Sequence, residues 1–553
     1  MLETREPASP QPLEKRDGPD ALITPEIADF VTSTIERLGI KGVSIAIVRH
    51  TANGTFEVDT RGFGVRNSAG DPMTSKTVIP IASNTKQFTA AAVGLLAHNG
   101  VKNFTMHTPW SKVLHGFKLM DPIANAQADA YDILSHRTGL PRHDLLILRD
   151  GIDADFSLRI VKGLRPSLPF RQAWQYNNQI YDIAASLVTQ VSGTPYQDFI
   201  QKNFFDKAGM KSSTFDPAVM SATEHSEGFW RKGENLTSAG QLIANLYPLN
   251  SPGLAGTGGI ASTAEDMALW LQVILNKGTS PVTGEVVIPP DVFAAMTTGV
   301  MVENGAGLVA PEMGPQVYGM GLEHGSYQGR NWIGHDGNYV GYMAQTTTFP
   351  DDGLSIAVMV NESPRGYFAH NSITWRIAEL LLNMPLRVDW LSRFEASNKA
   401  SLQGRAAAVA GMLPSPPNAA KPTAPIKYLA GCYEDLAYGN LTFTLDQDGK
   451  TLTSTAPQFG EGATMVLAHY DANVFNATLS VFQPSVDGSE LTLRSVAPVR
   501  AEFGVSISGV RGLAFNGGLW VAQGGIADPV GNTVKERAEV WFDKVKCNEK
   551  KHD

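Results

Sequence analysis

Ser83-Asn84-Thr85-Lys86 opens a run, Gln87-Phe88-Thr89-Ala90-Ala91-Ala92-Val93-Gly94-Leu95-Leu96-Ala97, whose small and apolar residues predict a buried helix. The lysine follows the serine at i+3, so both project from one helical face, one turn apart. A serine hydroxyl is a poor nucleophile until a neighbouring base takes its proton. Lysine can be that base only if its own pKa is lowered. Burial and the positive end of the helix dipole both act in that direction, and the dipole also favours a developing serine oxyanion. S-x-x-K alone is a weak signal, because a capping serine followed by a solvated lysine spells the same letters.

Upstream, Pro25 to Leu38 predicts a helix with Thr24 as its cap and Pro25 in its first turn. Val43-Ser-Ile-Ala-Ile-Val48 predicts a strand, and Phe56 to Val65 its hairpin partner around Asn53-Gly54. A long helical and loop region is expected from about 100 to 280, a second β region from Tyr318 to Asn361, and a closing helix from Trp375 to Asn383. Strands at both ends with helices between them predict an α+β architecture, an antiparallel sheet with a helical lobe. Residues 1–24, rich in proline and charge, read as a disordered lead-in. A helical stretch and the proline-rich segment Leu413 to Pro425 form a linker over 391–426. Beyond it, 427–547 alternates in short segments (Leu441–Leu445, Leu491–Ser495, Leu519–Ala522, Ala538–Phe542) that predict an all-β barrel domain.

The chain has 553 residues, 43% hydrophobic and 18% charged, with net charge −9. An acidic chain of this kind argues against nucleic acid as a partner. No apolar stretch reaches the roughly 18–20 residues that cross a bilayer, and the first residues carry no apolar signal core. The expected location is therefore cytoplasmic, or secreted if a leader is missing from the chain. Sequons at Asn53, Asn103, Asn235, Asn361, Asn440 and Asn476 would suit secretion. Two cysteines exclude a disulfide-rich scaffold and disfavour a cysteine-ligated zinc. Gly256-x-Gly258-x-x-Ala261 imitates a dinucleotide fingerprint, but no strand is expected before it, so no cofactor is expected; nor is a metal.

Three further segments complete a pattern: Trp174-Gln-Tyr176-Asn177-Asn178 ahead of an apolar helix, Gly334-His335-Asp336-Gly337-Asn338 ahead of a strand, and Leu134-Ser-His-Arg-Thr-Gly-Leu-Pro141 at a polar turn. In order, Ser83-x-x-Lys86, Tyr176-x-Asn178 and His335-x-Gly337 resemble the three motifs of the serine β-lactamase and penicillin-binding-protein superfamily, in its class C-like (S12 peptidase and esterase) branch. The resemblance spans roughly 25–390 and implies a β-lactamase/transpeptidase-like domain there. It implies Ser83 as nucleophile of an acyl-enzyme, with Lys86 and Tyr176 sharing the proton shuttle and Tyr176 at a lowered pKa. It implies Asn178 on the substrate's acyl side chain or on Lys86, and His335 and Gly337 on the strand that lines the cleft. An oxyanion hole would come from the backbone N–H groups of Ser83 and Asn338. Where penicillin-binding proteins and true β-lactamases usually carry lysine, this chain has His335, a group only partly charged near neutrality. That departure moves the expected substrate from β-lactams to esters or amides, as small molecules or peptides.

"YLAGCYEDLAYGNLTFTL" and "HYDANVF" resemble the lipocalin-like barrel appended to many members of this group. Its implied role is to shape the active-site entrance or to mediate assembly, so loss of 413–553 is expected to leave the chemistry intact. A barrel would bring Cys432 and Cys547 within reach of a disulfide; a cytosolic protein would keep two free thiols, the expected state. The leading function is a serine hydrolase. An acyltransferase would use the same residues, and a non-catalytic scaffold would have lost some of them. Assembly as a homo-oligomer is left open.

Overall fold

The computed structural model describes residues 21–547 apart from 150, 246–251, 306–309, 411–414, 487 and 522–527. The first helix, Pro25–Leu38, starts where Thr24 accepts the Ile27 N–H and stops at Gly39 in the left-handed region. Its apolar stripe, Ile27, Val31 and Leu38, is buried. Residues 1–20 of the expected lead-in lie outside the described residues. Its end is not disordered: Leu22 and Ile23 are buried, and the Ile23 N–H donates to Asp59 at 2.8 Å.

The central sheet is antiparallel and eight-stranded. Its spatial order is Phe56–Gly64, Gly42–His50, Leu354–Val360, Tyr342–Phe349, Arg330–Tyr339, Glu323–Tyr327, Gln316–Tyr318 and Met301–Asn304. The inner strands are buried on both faces, which is why they read as continuous apolar runs. Val43, Ile45 and Ile47 pack with Ile27, Ile373, Trp375 and Trp390 on one side. Ala46 and Val48 join the core of the helical lobe on the other, with Phe88, Ile183 and Trp270. The closing helix is longer than expected, Gly366–Leu381. Two strands inside the region expected to be helix and loop, Gly228–Lys232 and Gln241–Asn245, form a small sheet with Glu362–Ser363.

The C-terminal part is a closed eight-stranded barrel running from Gly431–Asp435 to Val540–Val545, which pair with each other. Alternation is plain in Val474–Pro484, where every second side chain is buried. The segment 519–521 is not a strand: Leu519 and Trp520 are buried because the Glu539 carboxylate accepts the N–H groups of Gly518, Leu519 and Trp520. Ala522 lies outside the described residues. Cys432 and Cys547 are not free thiols; closure brings their Cα atoms to 5.2 Å and they are joined as a disulfide. Among the described residues no helix is long and apolar enough to cross a membrane.

Candidate active site

Ser83 sits in a single 3-10 turn, Ala82–Asn84, that runs into the helix Thr85–His98. Ala82 is held at φ 47°, a left-handed conformation that costs a residue with a Cβ and survives only where packing enforces it. Polar ties below the turn do this. Asn84 Oδ1 accepts from Thr346 at 2.8 Å and from Gln87 at 3.1 Å, and Trp270 Nε1 donates to Gln87 at 3.0 Å. Ser83 alone of the turn is part-exposed.

Lys86 is fully buried, with Nζ 3.0 Å from Ser83 Oγ, 2.9 Å from Asn178 Oδ1 and 2.8 Å from the Thr257 carbonyl. Burial, helped by the Arg142 charge and opposed by Asp182, lowers its pKa to about 7. The Asn178 and Thr257 oxygens can only accept, so they take two N–H bonds. In the neutral amine the remaining position, toward Ser83, is the lone pair.

Tyr176 is hydrogen-bonded to Ser83 and buried. Lys86 Nζ lies 4.9 Å and the Arg142 guanidinium 4.6 Å from its ring centre. The expected lowering of its pKa is not found. Burial raises it well above the usual phenol range, outweighing the opposing Ser83 bond and Arg142 charge. Asn178 joins the cluster: Thr257 Oγ1 donates to its Oδ1 at 2.8 Å, and its Nδ2 donates to Asp144 at 2.8 Å.

The Arg330–Tyr339 strand forms the opposite wall. Its neighbour Glu323–Tyr327 pairs with it over Arg330–Gly334, and among the described residues no strand pairs with the outer edge from His335 onward. Gly337 is required by close approach: a Cβ there would stand 2.2 Å from the Ile81 carbonyl oxygen and 3.2 Å from Ala82 Cβ. Asn338 follows, exposed. His335 is buried, with Nε2 2.8 Å from the Tyr318 hydroxyl and Nδ1 on the Asp336 carbonyl. Burial, then the Lys86 charge, hold its pKa down at about 3, so the ring is neutral, not partly charged.

A family profile described as Beta-lactamase matches residues 27–379. The chain belongs to the Beta-lactamase family. Among its relatives, an unguisins hydrolase of Aspergillus violaceofuscus is 26% identical over 520 residues, 89% of this chain and 88% of that one. A D-aminopeptidase of Cereibacter sphaeroides is 23% identical over 314 residues, 55% and 54% of the two chains. The octameric penicillin-binding protein homologue from Pyrococcus abyssi shares the fold, with TM-score 0.55 and 20% identity over 89% of this chain and 98% of that one.

Within this Beta-lactamase-family site, several contributors escaped the sequence reading. Thr257 acts through its backbone carbonyl, which no residue letter signals. Its turn packs so closely on the helix Gln179–Ser192 that a Cβ at Gly256 would lie 2.3 Å from the Tyr181 carbonyl; the glycine pattern is packing, not a nucleotide loop. Asp182 accepts the Thr257 N–H at 3.1 Å, and its signal was an acidic residue on an otherwise apolar helix. His136 Nδ1 accepts the Asn177 N–H at 3.1 Å, and its ring lies 4.4 Å from that of Tyr176. Arg142 and Asp144 come from a loop with no periodic signature. Glu323, His335 and Asp336 bring potential metal-ligand atoms within 4.8 Å of one another. They fit a metal poorly, because both nitrogens of His335 are engaged by the protein.

Proposed function

We propose that the protein is a serine hydrolase that cleaves an ester or amide through an acyl-enzyme on Ser83. The observation that carries this is the buried Lys86 amine, pKa about 7, placed 3.0 Å from Ser83 Oγ. In this reading Lys86 takes the Ser83 proton as the hydroxyl attacks the carbonyl. Tyr176, a neutral phenol bonded to Ser83, gives a proton to the leaving group and recovers one from Lys86. The N–H groups of Ser83 and Asn338 stabilise the oxyanion, a donor of this kind being worth about 2.7–4 kcal/mol. Water then takes the acyl group, Lys86 again acting as base. Asn178 orients Lys86.

The strand wall supports a substrate without a carboxylate at that point. His335 is neutral, and beside it a cavity of about 480 Å³ is lined by Asp336, Glu323 and Glu303. Burial and the neighbouring Asp336 push the Glu303 carboxyl up to about 8. Among the described residues that line this cavity none is a lysine or an arginine. The relative named D-aminopeptidase favours amide substrates. The disulfide favours an oxidising compartment over the cytosol.

The test is hydrolysis of p-nitrophenyl acetate and butyrate by wild-type and Ser83→Ala protein in EDTA. Turnover that vanishes in the variant supports the assignment; equal turnover in both overturns it. Adding a nucleophilic alcohol or amine and assaying the transferred product separates hydrolysis from acyl transfer.

A further inference from the structure

We propose that the barrel completes the catalytic centre, with Tyr438 a positioning residue that fixes the segment Arg142-His143-Asp144 against Tyr176 and Asn178. This rests on the reading of Ser83 as the nucleophile. The link is His143, only 1% exposed. Its backbone N–H donates to the Trp520 carbonyl of the barrel at 3.0 Å, and its Nδ1 lies 2.8 Å from the Tyr438 hydroxyl. The Tyr438 hydroxyl also bonds the Leu519 carbonyl at 3.1 Å, and the Arg165 backbone hydrogen-bonds the His143 ring. On the other side, Gln179 Nε2 donates to the His143 carbonyl at 3.0 Å, so His143 is clamped between the barrel and the helix that follows Asn178.

The clamp has work to do, because His143 is held at φ 50°. Its chain neighbours both reach the site. The Arg142 guanidinium stacks 4.6 Å from the Tyr176 ring centre, and Asp144 Oδ1 accepts from Asn178 at 2.8 Å. Arg142 and Asp144 also pair with each other. The barrel is also docked by the Arg165 side chain, which donates to the carbonyls of Ala538 at 2.6 Å and Glu536 at 2.8 Å. Tyr438→Phe therefore tests the clamp without undocking the barrel. The expectation that loss of 413–553 leaves the chemistry intact is replaced by this one.

The experiment uses the full chain. In Tyr438→Phe, kcat for p-nitrophenyl butyrate is expected to fall about tenfold with KM within about twofold, since misplacement of catalytic groups costs rate before binding. The acid limb of kcat/KM moves to higher pH, because displacing the segment removes the lowering effect of Arg142 on Lys86, which outweighs the raising effect of Asp144 that moves with it. Amide hydrogen exchange quickens in 141–148 and not in the barrel strands. An unchanged acid limb with unchanged exchange in 141–148 overturns the proposal; so does a loss of rate with exchange raised throughout the barrel, which marks general destabilisation. If Tyr438→Phe fails to fold, His143→Asn breaks the same contact from the other side, and Asn tolerates the left-handed backbone. If wild-type turnover proves independent of Ser83, the functional reading fails on that control alone, and the exchange in 141–148 still decides whether the clamp exists.

Discussion

The helix wall of the cleft buries Lys86 and the strand wall buries His335, and the two use these bases in opposite ways. On the helix wall, Lys86 meets two obligatory acceptors and Ser83, and burial stops at a pKa of about 7. On the strand wall, His335 is locked between Tyr318 and a backbone carbonyl, and burial drives it to about 3. Burial by itself silences a base. What holds Lys86 near the working range is its acidic neighbours, Asp182 first, which offset part of the desolvation, while burial raises the Asp182 carboxyl itself well above its ordinary range. In the proposed mechanism one wall moves protons, and the other supplies backbone and shape.

Replacing the nucleophile is the most severe test of the helix wall. Ser83→Ala should cut turnover by about 10⁴-fold or more while the thermal midpoint stays put, as only one hydroxyl is lost. Lys86→Met should cost about 10³-fold, and the double variant with Tyr176→Phe should cost little more than the worse single change, since groups acting as one unit are non-additive. Wild-type kcat/KM should fall as pH drops through about 7, where Lys86 gains its proton. Stability carries the same signature. Unfolded Lys86 keeps its proton to about 10.5 and the folded form only to about 7, so between those values the unfolded state holds the extra proton. Stability therefore rises with pH there, by about 1.4 kcal/mol per unit from this group, and Lys86→Met should remove that slope in urea titrations at pH 7.5 to 9.5. A slope identical in both proteins would break the contrast between the walls.

The strand wall is tested by Gly337→Ala. The added Cβ cannot share space with the Ile81 carbonyl oxygen 2.2 Å away, so turn and strand must separate. A displacement near 1 Å at reacting groups costs about 10²-fold. The loss should fall on kcat, with the acid limb of the pH profile unmoved.

These contrasts were unequally legible beforehand. Ser83 and Lys86 could be singled out because their chemistry is written in side chains one helical turn apart, whereas Tyr176, Asn178 and Gly337 stood out only through the resemblance of the ordered motifs. The apolar run Val43–Val48, with Phe56–Val65 across the Asn53-Gly54 turn, gave up the hairpin, and Thr24 with Pro25 the start of the first helix. The Thr257 carbonyl could not be read, because backbone acceptors are the same at every residue. Arg142 and Asp144 reach the site through a loop fixed by the distant barrel. The sign of the Tyr176 shift was misjudged for a related reason: the positive charge of Arg142 was foreseeable in kind, but the depth of burial that outweighs it is set by the packing of His136, Trp174 and Tyr318. Leu519–Val521 misled because consecutive apolar residues spell a strand, whereas here Leu519 and Trp520 are buried with their N–H groups on the Glu539 carboxylate instead of a neighbouring strand.

The smallest expected effect is also the sharpest discriminator between the walls. A histidine beside a catalytic serine invites the reading that its titration produces the acid limb, since an ordinary imidazole changes charge near pH 6.5. Here His335 stays neutral from about pH 3 upward, so it has no proton to gain or lose in the working range. His335→Gln keeps an uncharged, hydrogen-bonding side chain on the strand and loses one of the two bonds the ring makes, to Tyr318 or to the Asp336 carbonyl, about 1 kcal/mol or roughly fivefold in rate. Its kcat/KM profile between pH 5 and 9 should superimpose on the wild-type curve after scaling. If the acid limb instead disappears in His335→Gln and survives in Tyr176→Phe, the titrating base belongs to the strand wall, and the assignment of proton transfer to Lys86 is wrong.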